Sequence, residues 1–362
     1  MGAWSGLSGI AAAIGPFVGG WLVGAGSWRL IFLINVPLAI ATVVVTLRYV
    51  PETRDPESVG GIDVAGAVLT AVGLAGVSWA LIESGERGAT AGTLTAGAVG
   101  VAALAGFLAV EWRSRHPMMP LEIWRSRQFT AANLVTFVVY AAISINFFLL
   151  SVDLQQVLGY SPMEAGLATL PVTALMLALS ARAGLVAERL GPRLPMTVGP
   201  LIVAVGLALL SRVQEGTTYL GTVLPGVIVF GFGLTLTVAP LTATVLAAAS
   251  ERYAGIASGV NNAVSRGAGL LAIAVIPGVA GLTGAAYRDP AVFASGFRTA
   301  MLISAALAAA GGALAWLFIR NEVAGRAHAC PATKLDRHHY CPVDGAPLAT
   351  ERDAERVTHP AV

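Results

Sequence analysis

Apolar residues run along the chain in blocks of about 20 to 30, each closed by a short stretch holding arginine, glycine or proline. A helix crosses the hydrocarbon core of a bilayer in about 20 residues, so blocks of this length predict membrane spans. The pattern gives about ten of them, at roughly 3–25, 29–49, 62–84, 91–112, 130–152, 164–187, 195–212, 218–247, 255–284 and 298–320. Several exceed one bilayer thickness and are expected to tilt, bend or protrude. An even number places both termini on one side. Glycine and proline recur inside the blocks, and Gly6, Gly9, Gly15, Pro16, Gly19 and Gly20 all fall in the first. In water an interior glycine costs a helix about 1 kcal/mol relative to alanine, and proline about 3. In lipid, small residues let backbones approach, and neighbouring helices satisfy the carbonyl that proline frees. Gly15 and Gly19 have the spacing of a small-x-x-x-small face, predicted to pack on another helix, with a bend at Pro16.

Composition leads to the same class. Hydrophobic residues make up 56% of the chain and charged residues 12%, with mean hydropathy +0.75. A soluble globule of that composition would expose far too much apolar surface, so the expectation is an all-α integral membrane protein. A net charge of +2 gives no reason to expect nucleic acid. Cys330 and Cys341 both fall in the polar tail, so no disulfide framework is predicted for the spans. Together with His338 and His339 they match no common zinc spacing, because the paired Cys-x2-4-Cys knuckle is absent; no metal site and no cofactor are predicted. The first residues lack the basic stretch of a signal peptide.

Arginine distribution predicts orientation. Arg48 and Arg54, then Arg113, Arg115, Arg125 and Arg127, then Arg189 and Arg193, then Arg252 follow the second, fourth, sixth and eighth spans. The alternate breaks hold only Arg29, Arg87, Arg212, Arg288 and Arg298. By the positive-inside bias the first set is cytoplasmic, and both termini with it. The stretch RSRHPMMPLEIWRSRQ, from Arg113 to Gln128, is the one clear internal linker. The tail from Asn321 to Val362 reads as cytoplasmic and disordered.

Polar residues inside the spans are the candidate chemistry. Arg266 falls about 16 Å into its span at 1.5 Å per residue, too deep for easy snorkelling in a core about 30 Å thick. It shares a stripe with Gly255, Gly259, Asn262 and Gly269, so it is expected to face protein or water. A guanidinium stays charged and cannot carry a proton. It would orient a substrate or bear on a nearby acid such as Asp153; a structural pair with helix carbonyls and Asn262 accounts for it equally well. Arg182 at a helix end reads as a snorkelling charge, Asp63, Glu83 and Glu111 as solvated span ends, and Tyr140, Asn146 and Phe147 as packing or cavity lining. No Gly-x4-Gly-Lys-Ser/Thr loop, acidic metal cluster or Gly-x-Ser-x-Gly elbow is present, which argues against a nucleotide-driven pump, a membrane transferase and a hydrolase.

Gly6 followed by Gly15-Pro16-x-x-Gly19-Gly20 resembles motif C of the drug:proton antiporters of the major facilitator superfamily. Ser27-Trp28-Arg29 and Phe32-Leu33-Ile34-Asn35-Val36-Pro37 resemble the next helix entry in its 14-helix branch, the EmrB/QacA-type exporters. Ala11 stands where relatives often have another glycine. Asp153 to Pro162, followed by Ala165-Gly166-Leu167 and Leu170-Pro171, resembles the outer end of the ninth helix and the start of the tenth, with Asp153 replacing an aromatic residue. Gly184-x-x-Ala187-Glu188-Arg189-x-Gly191-Pro192-Arg193 is similar to a weakened motif A, with glutamate for aspartate. Ala257-Ser258-Gly259-Val260-Asn261-Asn262 with Arg266-Gly267 takes the place of the fifth helix's counterpart.

The resemblance implies a helical bundle with about ten of fourteen expected helices: residues 1–50 as the last two of the N-terminal half, 51–112 as an extra pair, 113–129 as a cytoplasmic linker, 130–320 as the six-helix C-terminal half, and 321–362 as the tail. On this reading four helices are missing ahead of Met1. It implies a monomeric plasma-membrane exporter of drug-like or antibiotic compounds in exchange for protons, with lipid as its surroundings and no enzyme activity. Motif C would serve as hinge and packing surface, Asp153, Gln155, Gln156, Asn261, Asn262 and Arg266 would serve substrate or proton coupling, and Gly184, Glu188, Arg189, Gly191 and Arg193 would form a cytoplasmic gate whose ion pairs make and break. A non-transporting membrane fragment or scaffold is the alternative.

Overall fold

A computed structural model describes residues 15, 18–22, 24, 27–50, 63–114, 119–250 and 253–321. Among them are nine helices long and apolar enough to cross a membrane: α1 (Leu30–Tyr49), α2 (Val64–Arg87), α3 (Ala91–Arg113), α4 (Arg127–Gln156), α5 (Pro162–Leu190), α6 (Arg193–Leu210), α7 (Tyr219–Ala247), α8 (Ala254–Val279) and α9 (Pro290–Phe318). They match the second to tenth predicted spans. The first predicted span lies largely outside the described residues, as do Gly6, Pro16 and the tail beyond Asn321.

The starts of α2, α3, α4, α5 and α9 are set by short polar caps. Asp63 accepts from the Gly66 amide at 2.9 Å, Ser126 from Phe129 at 3.3 Å, and Asp289 from Ala291 and Val292 at 3.0 and 3.2 Å. Thr90 with Thr93 and Ser161 with Glu164 form reciprocal capping boxes. Each cap satisfies amides that a helix start leaves open. The caps also correct the predicted ends: α9 begins at Pro290, eight residues before the expected start, because Asp289 and Pro290 supply an N-terminus that hydropathy does not register. The span expected over 255–284 ends at Val279, and Gly284–Arg288 turns as a separate 3-10 helix.

Proline explains the break in α5. Pro171 has no amide hydrogen, and the helix is interrupted at Thr169. There the Val172 amide turns to the Thr169 carbonyl at 3.1 Å. The Ala168 carbonyl is taken instead by the Tyr219 hydroxyl, which donates to it at 3.1 Å and ties the start of α7 to the break.

Helix α4 is the centre of the bundle and the most buried of the nine. It packs against α8 and α9 and more lightly against α7, while α6 packs against α7 and α9, and α5 against α7. Glycines make the α6–α7 seam close: a Cβ on Gly206 would lie 2.7 Å from the Phe230 Cα, and one on Gly233 would lie 2.8 Å from the Gly199 carbonyl oxygen. Both helices carry glycine at intervals of seven, so two backbones meet with no side chain between them. Helices α2 and α3 form a hairpin with a similar seam, where a Cβ on Gly100 would meet the Val77 amide nitrogen at 2.6 Å. The hairpin rests on α8 through α2. Helix α1 buries none of its apolar window. Leu47, at 82% exposure, and its neighbours there require lipid rather than water around them.

Candidate functional site

The seam between α4 and α8 brings one set of intramembrane polar residues together. Asn133, Thr136, Tyr140 and Ser144 follow one another along α4 at intervals of three and four and so share a face. Asn261 of α8 donates to Thr136 Oγ1 at 2.9 Å and to Asn133 Oδ1 at 3.2 Å. Asn133 in turn donates to the Phe129 carbonyl at 3.0 Å. Arg266 lies between Asn261 and Gly269 on α8 as Tyr140 lies between Thr136 and Ser144 on α4, so the register sets the two at one level. A further turn along, Gly269 faces the Ser144 hydroxyl so closely that a Cβ would not fit. The two helices run parallel, and their polar residues step along together.

Arg266 is exposed and holds no hydrogen bond or ion pair among the described residues. The expected pair with Asn262 does not form, because the Asn262 amide donates to the Ser258 carbonyl of its own helix at 3.2 Å. Gly255, Gly259, Asn262 and Arg266 line a face of α8 turned away from its packed neighbours, with nothing described within 4 Å of a Cβ on Gly255 or Gly259. Gly269, the last of the predicted stripe, is buried against α4 instead. Arg266 is not brought to Asp153 either. Tyr140, at the Arg266 level, precedes Asp153 by thirteen residues on α4, about 20 Å along the axis.

Asp153 is fully buried, and neither carboxylate oxygen has a partner among the described residues. Asn146, two turns earlier on the same face, is 1% exposed with its Oδ1 unpartnered. Across the α4–α9 contact, a Cβ on Gly311 would meet the Val139 side chain. Counting outward from that pair in antiparallel register brings Asn146 level with Ser304, whose buried hydroxyl is also unpartnered. Gln155 is tied to its own helix, donating to the Ser151 carbonyl at 2.8 Å, and Gln156 is exposed. Phe147 packs edge-on against Phe230, with ring centroids 5.7 Å apart.

The residues expected to form a gate sit at the α5–α6 turn. Gly191 adopts φ +80°, which closes the turn. Glu188 and Arg189 are exposed and hold no ion pair among the described residues. Arg193 is held otherwise: its Nε donates to the Trp316 carbonyl at 2.8 Å, its guanidinium lies 4.1 Å from the centre of the Trp316 ring, and its backbone amide donates to Asn321 Oδ1 at 3.1 Å. Nearby, Gln128 and Arg320 exchange two hydrogen bonds of 3.0 Å between the start of α4 and the end of α9. Gly184 faces open space. Trp316, Asn321 and Gln128 had no marker in the sequence, since their partners lie more than a hundred residues away.

The first glycine motif contacts α5, one position from where spacing put it. Nothing described lies within 4 Å of a Cβ on Gly15 or Gly19, whereas one on Gly20 would be 2.8 Å from the Met163 Cα and 2.9 Å from the Pro162 carbonyl oxygen. Glu111, expected to be solvated, is 3% exposed and accepts from the Met119 amide at 3.1 Å. Asp63 caps its helix, and Glu83 pairs with Arg87.

Residues 1–273 match the profile of the Major Facilitator Superfamily. The chain belongs to this superfamily. It is a multi-pass membrane protein, and its helical bundle is of the superfamily's kind. Similar proteins include the tetracenomycin C resistance and export protein of Streptomyces glaucescens, 32% identical over 76% of this chain and 51% of that protein. The methylenomycin A resistance protein of Streptomyces coelicolor is 33% identical over 76% of this chain and 58% of its own length. The multidrug efflux pump LfrA of Mycolicibacterium smegmatis is 30% identical over 71% and 51%. The chain thus spans about half the length of these superfamily relatives.

Proposed function

We propose that the chain forms the C-terminal part of a plasma-membrane exporter that exchanges drug-like or antibiotic compounds for protons. Three relatives carrying the names of export, resistance and efflux proteins support this reading. The observation that carries it is the face of α8 bearing Gly255, Gly259, Asn262 and Arg266, which is polar, lined with small residues and uncovered by the described residues. An intramembrane arginine on such a face belongs against a polar path rather than lipid. In our assignment, residues 1–50 close the N-terminal half, 51–112 are an extra helix pair, 113–129 are a cytoplasmic linker, 130–320 are the C-terminal half, and both termini are cytoplasmic. Arg266 orients the substrate, backed by Tyr140. Asp153 carries the proton: an ionised carboxylate needs a counter-charge or donors, and a pocket without either accommodates the neutral acid. The turn at Gly191 and Arg193 is the cytoplasmic gate, and the contact of Gly20 with Met163 is the hinge between halves.

Inside-out vesicles containing the complete exporter, with this chain as its C-terminal part, test this. With an imposed proton gradient, addition of compounds from a panel including tetracenomycin C and methylenomycin A is expected to release protons in wild type and not in Asp153→Asn. Proton release undiminished in Asp153→Asn would remove Asp153 from coupling, and none with any compound would argue against export. Orientation is checked separately by external thiol labelling: Glu215→Cys is expected to react and Arg125→Cys to be protected.

A further inference from the structure

Helices α6 and α9 touch at one end and part at the other. Where they touch, a Cβ on Gly312 would lie 2.8 Å from the Thr197 carbonyl oxygen. Toward the C-terminal end of α6 they leave a groove of about 870 Å³, with Ala208, Ala294 and Leu302 on its apolar side, Ser211, Gln214 and Ser295 on its polar side, and Arg212, Glu215 and Arg298 at the rim. Both arginines are exposed, and neither guanidinium has a hydrogen bond or ion pair among the described residues. Glu215, on the same rim, pairs with neither.

The depth of these arginines identifies the partner. Arg193 and Trp316 stack on one another and mark a single level at the opposite end of the two helices. From Arg193 to Arg212 is nineteen residues and from Trp316 to Arg298 is eighteen, so each path covers about 28 Å at the helical rise. That is about one hydrocarbon thickness. Two helices of different sequence thus return independently to the far membrane boundary, each with an unpaired arginine. Phosphate groups lie at that boundary, and guanidinium is the side chain best shaped to grip them. Basic pockets between membrane helices take lipid headgroups on the cytoplasmic side, and the phosphate chemistry is the same at the opposite boundary.

We propose that the groove binds a phospholipid, with its phosphodiester held by Arg212 and Arg298 and an acyl chain lying along Ala208, Ala294 and Leu302. The shared chemistry is the phosphate; the source is membrane lipid rather than free anion. Native mass spectrometry of the full chain in mild detergent tests it, with phosphatidylglycerol and phosphatidylethanolamine added separately. Wild type is expected to retain one lipid of either kind through delipidating washes. Arg212→Gln/Arg298→Gln, eluting as a single species, is expected to retain about tenfold less, while Arg288→Gln, an exposed arginine on the same side, is expected to match wild type. Equal retention in the double variant would overturn the proposal, as would equal loss in Arg288→Gln. Thermal stabilisation by inorganic phosphate as large as that by lipid would mark a free-anion site and overturn it too.

Discussion

The guanidinium of Arg193 and the ring of Trp316 stack at 4.1 Å across 123 residues of sequence. This joins the α5–α6 turn to the end of α9, with Asn321 closing the same corner. The turn is therefore clasped to the C-terminal helix instead of resting on its own charges.

Removing the ring is expected to loosen that corner. Trp316→Ala should cost about 1 kcal/mol, the usual size of a partly exposed cation–π contact. Trp316→Phe, which keeps a ring face, should recover part of it. Thermal unfolding of the detergent-solubilised protein checks both, and equal stability of Trp316→Ala and wild type would show that the stack contributes nothing.

The two glycines at the start of the chain should behave differently despite being neighbours. Gly20→Ala places a Cβ against the Met163 backbone, while Gly19→Ala meets open space. Overpacking against backbone costs about 1 to 3 kcal/mol. We expect Gly20→Ala to lower the unfolding temperature and Gly19→Ala to leave it unchanged. The opposite order would place the tight contact at the wrong residue.

A similar contrast holds deeper in the bundle. Gly206→Ala, with Phe230 backbone in the way, should destabilise by about 1 to 3 kcal/mol. Gly184→Ala, in open space on a helix, should be neutral or slightly stabilising, since alanine favours the helix by up to about 1 kcal/mol. Reversible unfolding in mixed detergent would measure both.

The Asn261 hydrogen bonds should register as coupling between α4 and α8. In a double-mutant cycle with Asn133→Ala and Asn261→Ala, the interaction energy is expected near 0.6 kcal/mol, the average for side-chain bonds between membrane helices. Strict additivity would mean that the two amides do not share a bond in the folded protein.

The positions of nine helices were legible in the sequence because a bilayer imposes a local requirement, whereas the superfamily was legible only through the resemblance of its glycine motif and the motifs that follow. Each span must satisfy its own backbone and cover it with apolar side chains, so hydropathy records it residue by residue. The polar stripe of α4 was also open to a reader of spacing: Asn133, Thr136, Tyr140 and Ser144 fall on one face whatever packs there. Which faces meet is a different matter. Gly15, Gly19 and Gly20 are equivalent as sequence, and only the approach of α5 selects Gly20. Arg266 and Asp153 are both intramembrane ionisable residues, and only the parallel register of α4 and α8 sets them about 20 Å apart. Arg193 finds Trp316, and Asn261 finds Asn133, across more than a hundred residues. Inside a membrane nearly every helix face is apolar, so the hydrophobic pattern fixes where helices lie and leaves their rotation and partners to steric fit, which exists only once the bundle has formed.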